Sequence, residues 1–387
     1  MDFHQAWRYG VLLLAAGPLV YYALATFAAW RFFWFERQQK LADFTPPVSI
    51  LKAVHGIDFA TYENYSSFCQ QNYPEYEILF AVNDEIDPAK QFVERLIAEH
   101  PERRIRLLIG AEYLGANIKV NKLVRMAREA RHEVLVLSDG DVRVGPNYLR
   151  EVVAPFADEK VGAVTSFYRA TAQKNMAAEI EAVGAASDFF AGVLMARWTE
   201  GLRFTLGASA ATTKAWLAKI GGFEGFANML ADDYELGNRI AKAGGEVVLS
   251  REVVWTMYPA QTARGFWEHQ MRWAGTVRLC RPLSYLGLLI TQALPWAVLA
   301  AFVAPSLWIP AAYLLGYVVL RAAMAWTVGV WGVQDEVLRR RFWLVPLRDA
   351  LHFVVWLASF TSNRVRWSGR EFKIRRGEMY PVEPPSS

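Results

Sequence analysis

The chain has 387 residues, 53% of them apolar and 14% aromatic, and its 42 Lys and Arg against 38 Asp and Glu leave a formal charge of +4. So small a surplus, with no aromatic-basic groove pattern, argues against nucleic acid as a partner, and two cysteines, Cys69 and Cys280, exclude a framework of disulfides. The length holds one α/β domain of about two hundred residues together with several membrane elements.

The first such element is Val11 to Trp30, which carries no charged residue and is long enough to cross about 30 Å of hydrocarbon. Its apolar part is long and lacks a clean small-x-small site before Arg31, so it reads as a retained anchor more than as a cleaved signal peptide. Residues 1–45 form this anchor and its linker. Arg31, Arg37 and Lys40 follow it, and under the positive-inside rule they place that side in the cytoplasm.

Pro46 and Pro47 close the linker, and a domain is expected over 46–280. Val48 to Val54 predicts a strand and Tyr62 to Gln71 the helix after it. Glu77 to Val82 is a second strand ending at Asn83 and Asp84; Pro88 to Glu99 is helical, Ile105 to Ile109 a strand, Lys119 to Ala130 a helix, and Glu133 to Leu137 a strand. This alternation implies βαβ units and a largely parallel sheet, in which ligands bind beyond the carboxyl ends of the strands. There is no GxGxxG after the first strand and no GxxxxGK[ST] loop, so phosphate must be neutralised by another device.

Asp139-Gly140-Asp141 supplies one. Two carboxylates on a turn after an apolar strand suit a hard cation, Mg²⁺ or Mn²⁺, whose remaining ligands include diphosphate oxygens; the bland alternative is a solvated turn. Asp84, at another strand end, is a candidate nucleotide contact. Lys119 and Lys122 lie nearly one turn apart and are candidates to neutralise phosphate, with surface lysines as the alternative. Between the sites, a segment near 182–196 is apolar but broken by Glu181, Asp188 and Arg197, and is expected to lie on the membrane surface or in the core.

Asp232-Asp233-Tyr234-Glu235 follows a glycine-rich passage and is expected to open a helix. An acid there either caps backbone donors or acts as a general base; Asp233 is the first choice for the base and Asp232 the alternate. Further on, His269, Arg272 and Trp273 share a helical face. Arg272 suits a departing diphosphate, and Trp273 a sugar or acceptor wall, unless the stretch is only a basic-aromatic membrane interface.

Residues 281–333 predict a transmembrane hairpin, with spans near 284–304 and 310–331 and a turn at Pro305 and Pro310. Arg339, Arg340 and Arg341 then mark a second cytoplasmic side. Within 334–387, an apolar stretch from Phe342 to Phe360 is interrupted by Arg348, Asp349 and His352. Such charges are costly in lipid, so a re-entrant or interfacial helix is favoured over a third span. Either keeps the basic tail, Arg364, Arg366, Arg370, Lys373, Arg375 and Arg376, at anionic headgroups.

Five runs in this order, Lys52-Ala-Val-His-Gly-Ile-Asp58, Asn83-Asp84 with Asp87-Pro88, Asp139-Gly-Asp141, Asp232-Asp233-Tyr234 and His269-Gln-Met-Arg-Trp273, resemble the inverting, membrane-bound glycosyltransferases of the GT-A fold. More closely they resemble the ceramide glucosyltransferase-like family. The resemblance implies a cytoplasmic GT-A-type α/β domain with an N-terminal anchor and C-terminal transmembrane or re-entrant helices, in a multi-pass protein, with a bacterial inner membrane as the expected location. It implies donor binding by Lys52, Asp84, Lys122, Asp139, Arg272 and Trp273, metal binding by Asp139 and Asp141, and Asp233 as base. His269 and Trp273 fall on the acceptor side, although the family usually has Gln or Arg where His269 stands. The partners implied are a UDP-sugar donor, a membrane lipid acceptor and the bilayer. The implied reaction is hexosyl transfer, of a single glucose from UDP-glucose to the primary hydroxyl of ceramide or a similar lipid. Transfer from UDP-N-acetylglucosamine to a hopanoid and processive polysaccharide synthesis are the alternatives.

Overall fold

The computed structural model describes residues 3–110, 112–367, 370–375 and 377–382; Arg376 of the basic tail lies outside them. The chain divides into two units, one made of residues 1–37, 172–200 and 260–366, the other of residues 38–171, 201–259 and 367–387.

In the second unit, apolar runs form the strands β1 (Val48–Ala53), β2 (Tyr76–Val82), β3 (Arg104–Ile109) and β4 (Val134–Asp139), with short β5 (Val142–Arg143), long β6 (Val161–Ala172), β7 (Ser209–Thr213) and long β8 (Glu246–Tyr258). They make one eight-stranded sheet in the order β3-β2-β1-β4-β7-β6-β8-β5. β1, β2, β3 and β4 run parallel; the near-continuous burial of β1, β2 and β4, complete at Ile50, Leu51, Ile78, Leu79 and Phe80, is what strands covered on both faces require, while β3 at the edge is only partly buried.

The other half departs from the expected parallel sheet. β7 pairs antiparallel with both β4 and β6, and β5 antiparallel with β8. Its sequence, Ser-Ala-Ala-Thr-Thr, has no apolar run to announce a strand. The buried Glu77 on β2 is satisfied by Ser49 Oγ at 2.7 Å, the Arg131 amide at 2.7 Å and Arg104 Nε at 3.2 Å. One carboxylate oxygen is thus hydrogen-bonded twice, while the other is held only by the charge of Arg104, which offsets the cost of burying it.

The first unit is helical. Helices Gln5–Glu36, Trp308–Val333 and Phe342–Thr361 are each long and apolar enough to cross a membrane. The expected first member of the hairpin is instead two helices, Pro282–Thr291 and Ala293–Val303, bent by 53°. Pro295 explains the break, since its ring would clash with the carbonyl of Thr291 in a continuous helix, and Gln292 between them is extended at ψ 96°.

The 182–196 segment is largely packed inside this unit, with Phe189 exposed. It runs through helix Met176–Gly184, a π-turn Ala185–Phe189 and helix Phe190–Glu200, and its Val183, Ala186, Ala191 and Val193 are buried. The helix Ala263–Cys280 groups with this unit by its contacts.

The charges that made 342–361 costly in lipid all find partners here. Arg348 donates to Gln270 Oε1 at 2.8 Å, Asp349 accepts from Arg321 Nη2 at 2.8 Å and Tyr317 at 2.6 Å, and His352 pairs with Asp188 at 2.9 Å. That is the pattern by which membrane helices carry ionisable groups on a protein-facing side.

Candidate active site

β1 and β4 end in register, with Ala53 beside Asp139, so the Asp-Gly-Asp turn leaves the sheet at its middle. The helix Ile118–Glu129 starts nearby, capped by Asn117, whose side chain accepts from the Val120 amide at 3.1 Å. From its first turn Lys119 reaches Asp139 Oδ1 at 2.7 Å and Asp232 Oδ2 at 3.1 Å. Burial works against the lysine's charge, but the two carboxylates outweigh it and hold Lys119 protonated well above the ordinary lysine range.

Asp232 and Asp233 open the helix Asp232–Lys242, where acids suit the dipole. Both Asp232 oxygens are engaged, one by Lys119 and the other by Asn117 Nδ2 at 3.4 Å. Asp233 Oδ1 accepts the Tyr234 amide at 2.8 Å, and its carbonyl accepts Thr205 Oγ1 at 2.8 Å. Its Oδ2 faces Gly207. A Cβ at Gly207 would sit 3.1 Å from Asp233 Oδ2 and 3.6 Å from Asp139 Oδ2, so the two carboxylates converge on a space that only glycine leaves open.

Gly237 sets the approach from the other side. A Cβ there would meet the Phe204 backbone at 2.4 Å, so its absence lets the helix seat against the 204–207 loop. Burial, then the charge of Asp232, pushes the Asp233 carboxyl up to about 6, with Lys119 pulling the other way. Asp141 keeps some contact with solvent, yet the protein around it, then the like charge of Asp139, pushes its carboxyl up to about 7.

The remaining expected residues fall in different places. Asp84 is exposed at the end of β2 and accepts the Ile86 amide at 3.1 Å. Lys52 is fully buried, donates to the Asp139 carbonyl at 2.8 Å and lies 3.9 Å over the Phe68 ring; burial lowers it to about 7 against the pull of Asp141 and Asp139. Lys122 turns inward to the Val54 carbonyl at 2.7 Å, and burial lowers it to about 8. Lys52 and Lys122 thus brace the ends of β4 and β1, while Lys119 is the lysine that enters the carboxylate cluster. His269, Arg272 and Trp273 lie in the helical unit, where His269 pairs with the buried Glu181 and packs 4.7 Å from the Trp273 ring.

Sequence reasoning assigned no role to four positions that shape this place. Asn117 carries an N-cap signal, an Asn ahead of a helix. Asp87 binds the Gly56 and Ala89 amides at 2.9 and 3.0 Å and His55 Nδ1 at 2.9 Å, tying the loop after β1 to the loop after β2; an Asp before Pro88 is a turn signal of the same kind. Thr205 and Gly207 carry no signal that a single sequence exposes.

A family model described as glycosyl transferase family 21 matches residues 10–380. Over 229 residues the chain is 27% identical to ceramide glucosyltransferase 1 of Caenorhabditis elegans, covering 59% of this chain and 49% of that protein. It is 31% identical over 147 residues to ceramide glucosyltransferase of Komagataella phaffii, covering 35% and 29%. The chain therefore spans about half the length, or less, of these curated relatives. Among solved structures, a mannosyltransferase from Pyrobaculum calidifontis in complex with GDP-Man and Mn²⁺ superposes with a TM-score of 0.55 at 19% identity, over 90% of this chain and 98% of that one. That likeness concerns the fold, which is an α/β fold of the GT-A type.

Proposed function

The chain belongs to glycosyl transferase family 21, and from that membership we propose that it moves a single glucose from UDP-glucose to the primary hydroxyl of ceramide or a similar membrane lipid. The observation that carries the reading is the convergence of Asp233 Oδ2 and Asp139 Oδ2 on the space beside Gly207. It sets a carboxylate able to take a proton next to the turn suited to hold the donor's diphosphate.

In this mechanism the acceptor oxygen bonds to the anomeric carbon as the bond to UDP breaks, on the opposite face, so an α-linked donor gives a β-glycoside. Asp233 accepts the hydroxyl proton, a task its raised pKa suits at neutral pH. Lys119 holds Asp139 and Asp232 in place and offers positive charge beside the phosphates. Asp84 serves the nucleotide. Lys52 and Lys122 act on the donor through the strand ends they brace. Arg272 and Trp273, on their chemistry alone, are assigned to the departing diphosphate and to the sugar or acceptor wall, and His269 to the acceptor side.

The donor set fits a divalent cation. Among the described residues no three His, Cys, Asp or Glu side chains gather as a full cage, but Asp139 and Asp141 present two hard oxygen donors whose mutual repulsion a cation relieves. When bound, Mg²⁺ or Mn²⁺ would neutralise the charge that grows on the departing diphosphate. The catalytic unit is assigned to the cytoplasmic side of a bacterial inner membrane, from the arginines after the first and third apolar stretches.

Mass spectrometry of lipids tests the proposal, after purified protein has been incubated with UDP-glucose or UDP-N-acetylglucosamine, either metal, and ceramide or hopanoid acceptors. One hexose added to ceramide supports it. A ladder of polymer lengths, or transfer only to the hopanoid, overturns it. Asp233→Asn should retain UDP-glucose binding and lose transfer; unchanged turnover would remove Asp233 from the role of base.

A further inference from the structure

The helical unit holds a cavity of about 180 Å³ lined by Ala28, Arg31, Phe32, Leu194, Arg197 and Trp198. The two helices contribute matching triads. Each supplies an apolar residue, an arginine three positions later and an aromatic ring next to the arginine: Ala28, Arg31 and Phe32 on one, Leu194, Arg197 and Trp198 on the other. At i, i+3 and i+4 the three share a helical face, and the small Ala28 leaves room between the facing stripes.

The level of this cavity is marked by its surroundings. Phe27, Trp30, Trp34, Phe35 and Trp198 are all exposed, and Phe27 packs edge-on against Trp198 at 5.8 Å. Exposed Trp clustered at the end of a long apolar helix is the signature of the headgroup layer. Arg197 is paired with Glu36 and lies 4.9 Å over the Phe32 ring. Arg31 is exposed and, among the described residues, has no hydrogen-bond or ion-pair partner. One guanidinium is thus free and the other half-neutralised, both at the rim of a cavity with Ala28 and Leu194 one turn further into the apolar stretch.

We propose that this cavity binds the phosphate of an anionic phospholipid, with Arg31 as its principal partner, Arg197 as the second, and the start of an acyl chain against Ala28 and Leu194. Guanidinium groups form paired, charge-assisted bonds to phosphate oxygens, and basic pockets between membrane helices at headgroup level are suited to such lipids. The site concerns the membrane seating of the chain and does not depend on which sugar or acceptor the enzyme uses.

Native mass spectrometry of the full chain released from detergent, titrated with phosphatidylglycerol or phosphatidylcholine, reads the site directly. Wild type is expected to retain one phosphatidylglycerol in preference to phosphatidylcholine. Arg31→Gln, which breaks no hydrogen bond or ion pair among the described residues, should weaken phosphatidylglycerol binding about tenfold and leave phosphatidylcholine unchanged. Glu36→Gln, which releases Arg197, should tighten it. Equal retention of the two lipids, or no change in either variant, would overturn the proposal. So would displacement of the lipid by inorganic phosphate at equal concentration, which would identify the site as one for a free anion.

Discussion

Substituting Gly207 with alanine isolates the space on which the proposed chemistry depends. Gly207 does not have a positive φ, so alanine meets no backbone strain. Its methyl would lie 3.1 Å from Asp233 Oδ2, where ordinary contact begins at 3.4 Å, a shortfall of 0.3 Å (3.4 − 3.1). At about a hundredfold loss per ångström of misplacement, that displacement alone lowers kcat about fourfold. The methyl also occupies the region where the acceptor oxygen has to approach Asp233, which adds to the loss. Initial rates with radiolabelled UDP-glucose and lipid extraction measure it, with KM for the donor expected to hold and the unfolding temperature to stay at the wild-type value. Gly207→Val should be more severe still. If both variants keep wild-type kcat, the space beside Gly207 is not where transfer occurs.

Asp233 must be ionised to accept a proton, and its carboxyl is raised to about 6. The kcat/KM profile should therefore fall about tenfold per pH unit below about 6, a limb that a flat profile down to pH 5 would contradict. Asp141, raised to about 7, has to lose its proton to ligate a cation, so the apparent Kd for Mn²⁺, measured by calorimetry, should tighten as pH rises to about 7 and level off above it. Gly237→Ala forces a methyl into the Phe204 backbone at 2.4 Å and, unlike Gly207→Ala, should cost about 1–3 kcal/mol in a denaturation midpoint as well as activity. Asp87→Ala leaves the Gly56 and Ala89 amides without their acceptor; a loss of about 1–3 kcal/mol with a raised KM for UDP-glucose is expected, and retention of both values would show that the tie between the two loops is dispensable.

The parallel half of the sheet was legible because each of its strands is a run of apolar residues closed by polar ones, and each helix between them is set off by a turn. The antiparallel half was not. β7 is built of small and hydroxylated residues, and its strand character comes from lying between β4 and β6, a property of the neighbours. At the site, Asp139, Asp141 and Asp233 stood out by their positions at strand and helix ends. The lysines did not sort themselves: three positions apart on one helix, Lys119 turns to the carboxylates and Lys122 to a backbone carbonyl, a division made by what packs against each. The same holds for Arg348, Asp349 and His352, whose expense in lipid was legible while their partners Gln270, Arg321 and Asp188 lie far off in the chain.

The insertion of β7 beside β4 also orders events during synthesis. Residues 48–139 fold through neighbouring strands and helices, so the half of the cluster that carries the Asp-Gly-Asp turn can assemble while the rest of the chain is still being made. Gly207 and Asp233 arrive only after a detour of more than sixty residues from Asp139 through the helical unit, in which 172–200 takes part. The Asp139–Asp233 cluster is consequently completed late, once the helical stretch 172–200 has already been laid down between its two halves. On the proposed mechanism, a chain interrupted before residue 233 would carry the Asp-Gly-Asp turn without the carboxylate assigned to take the proton, and would be unable to spend its donor.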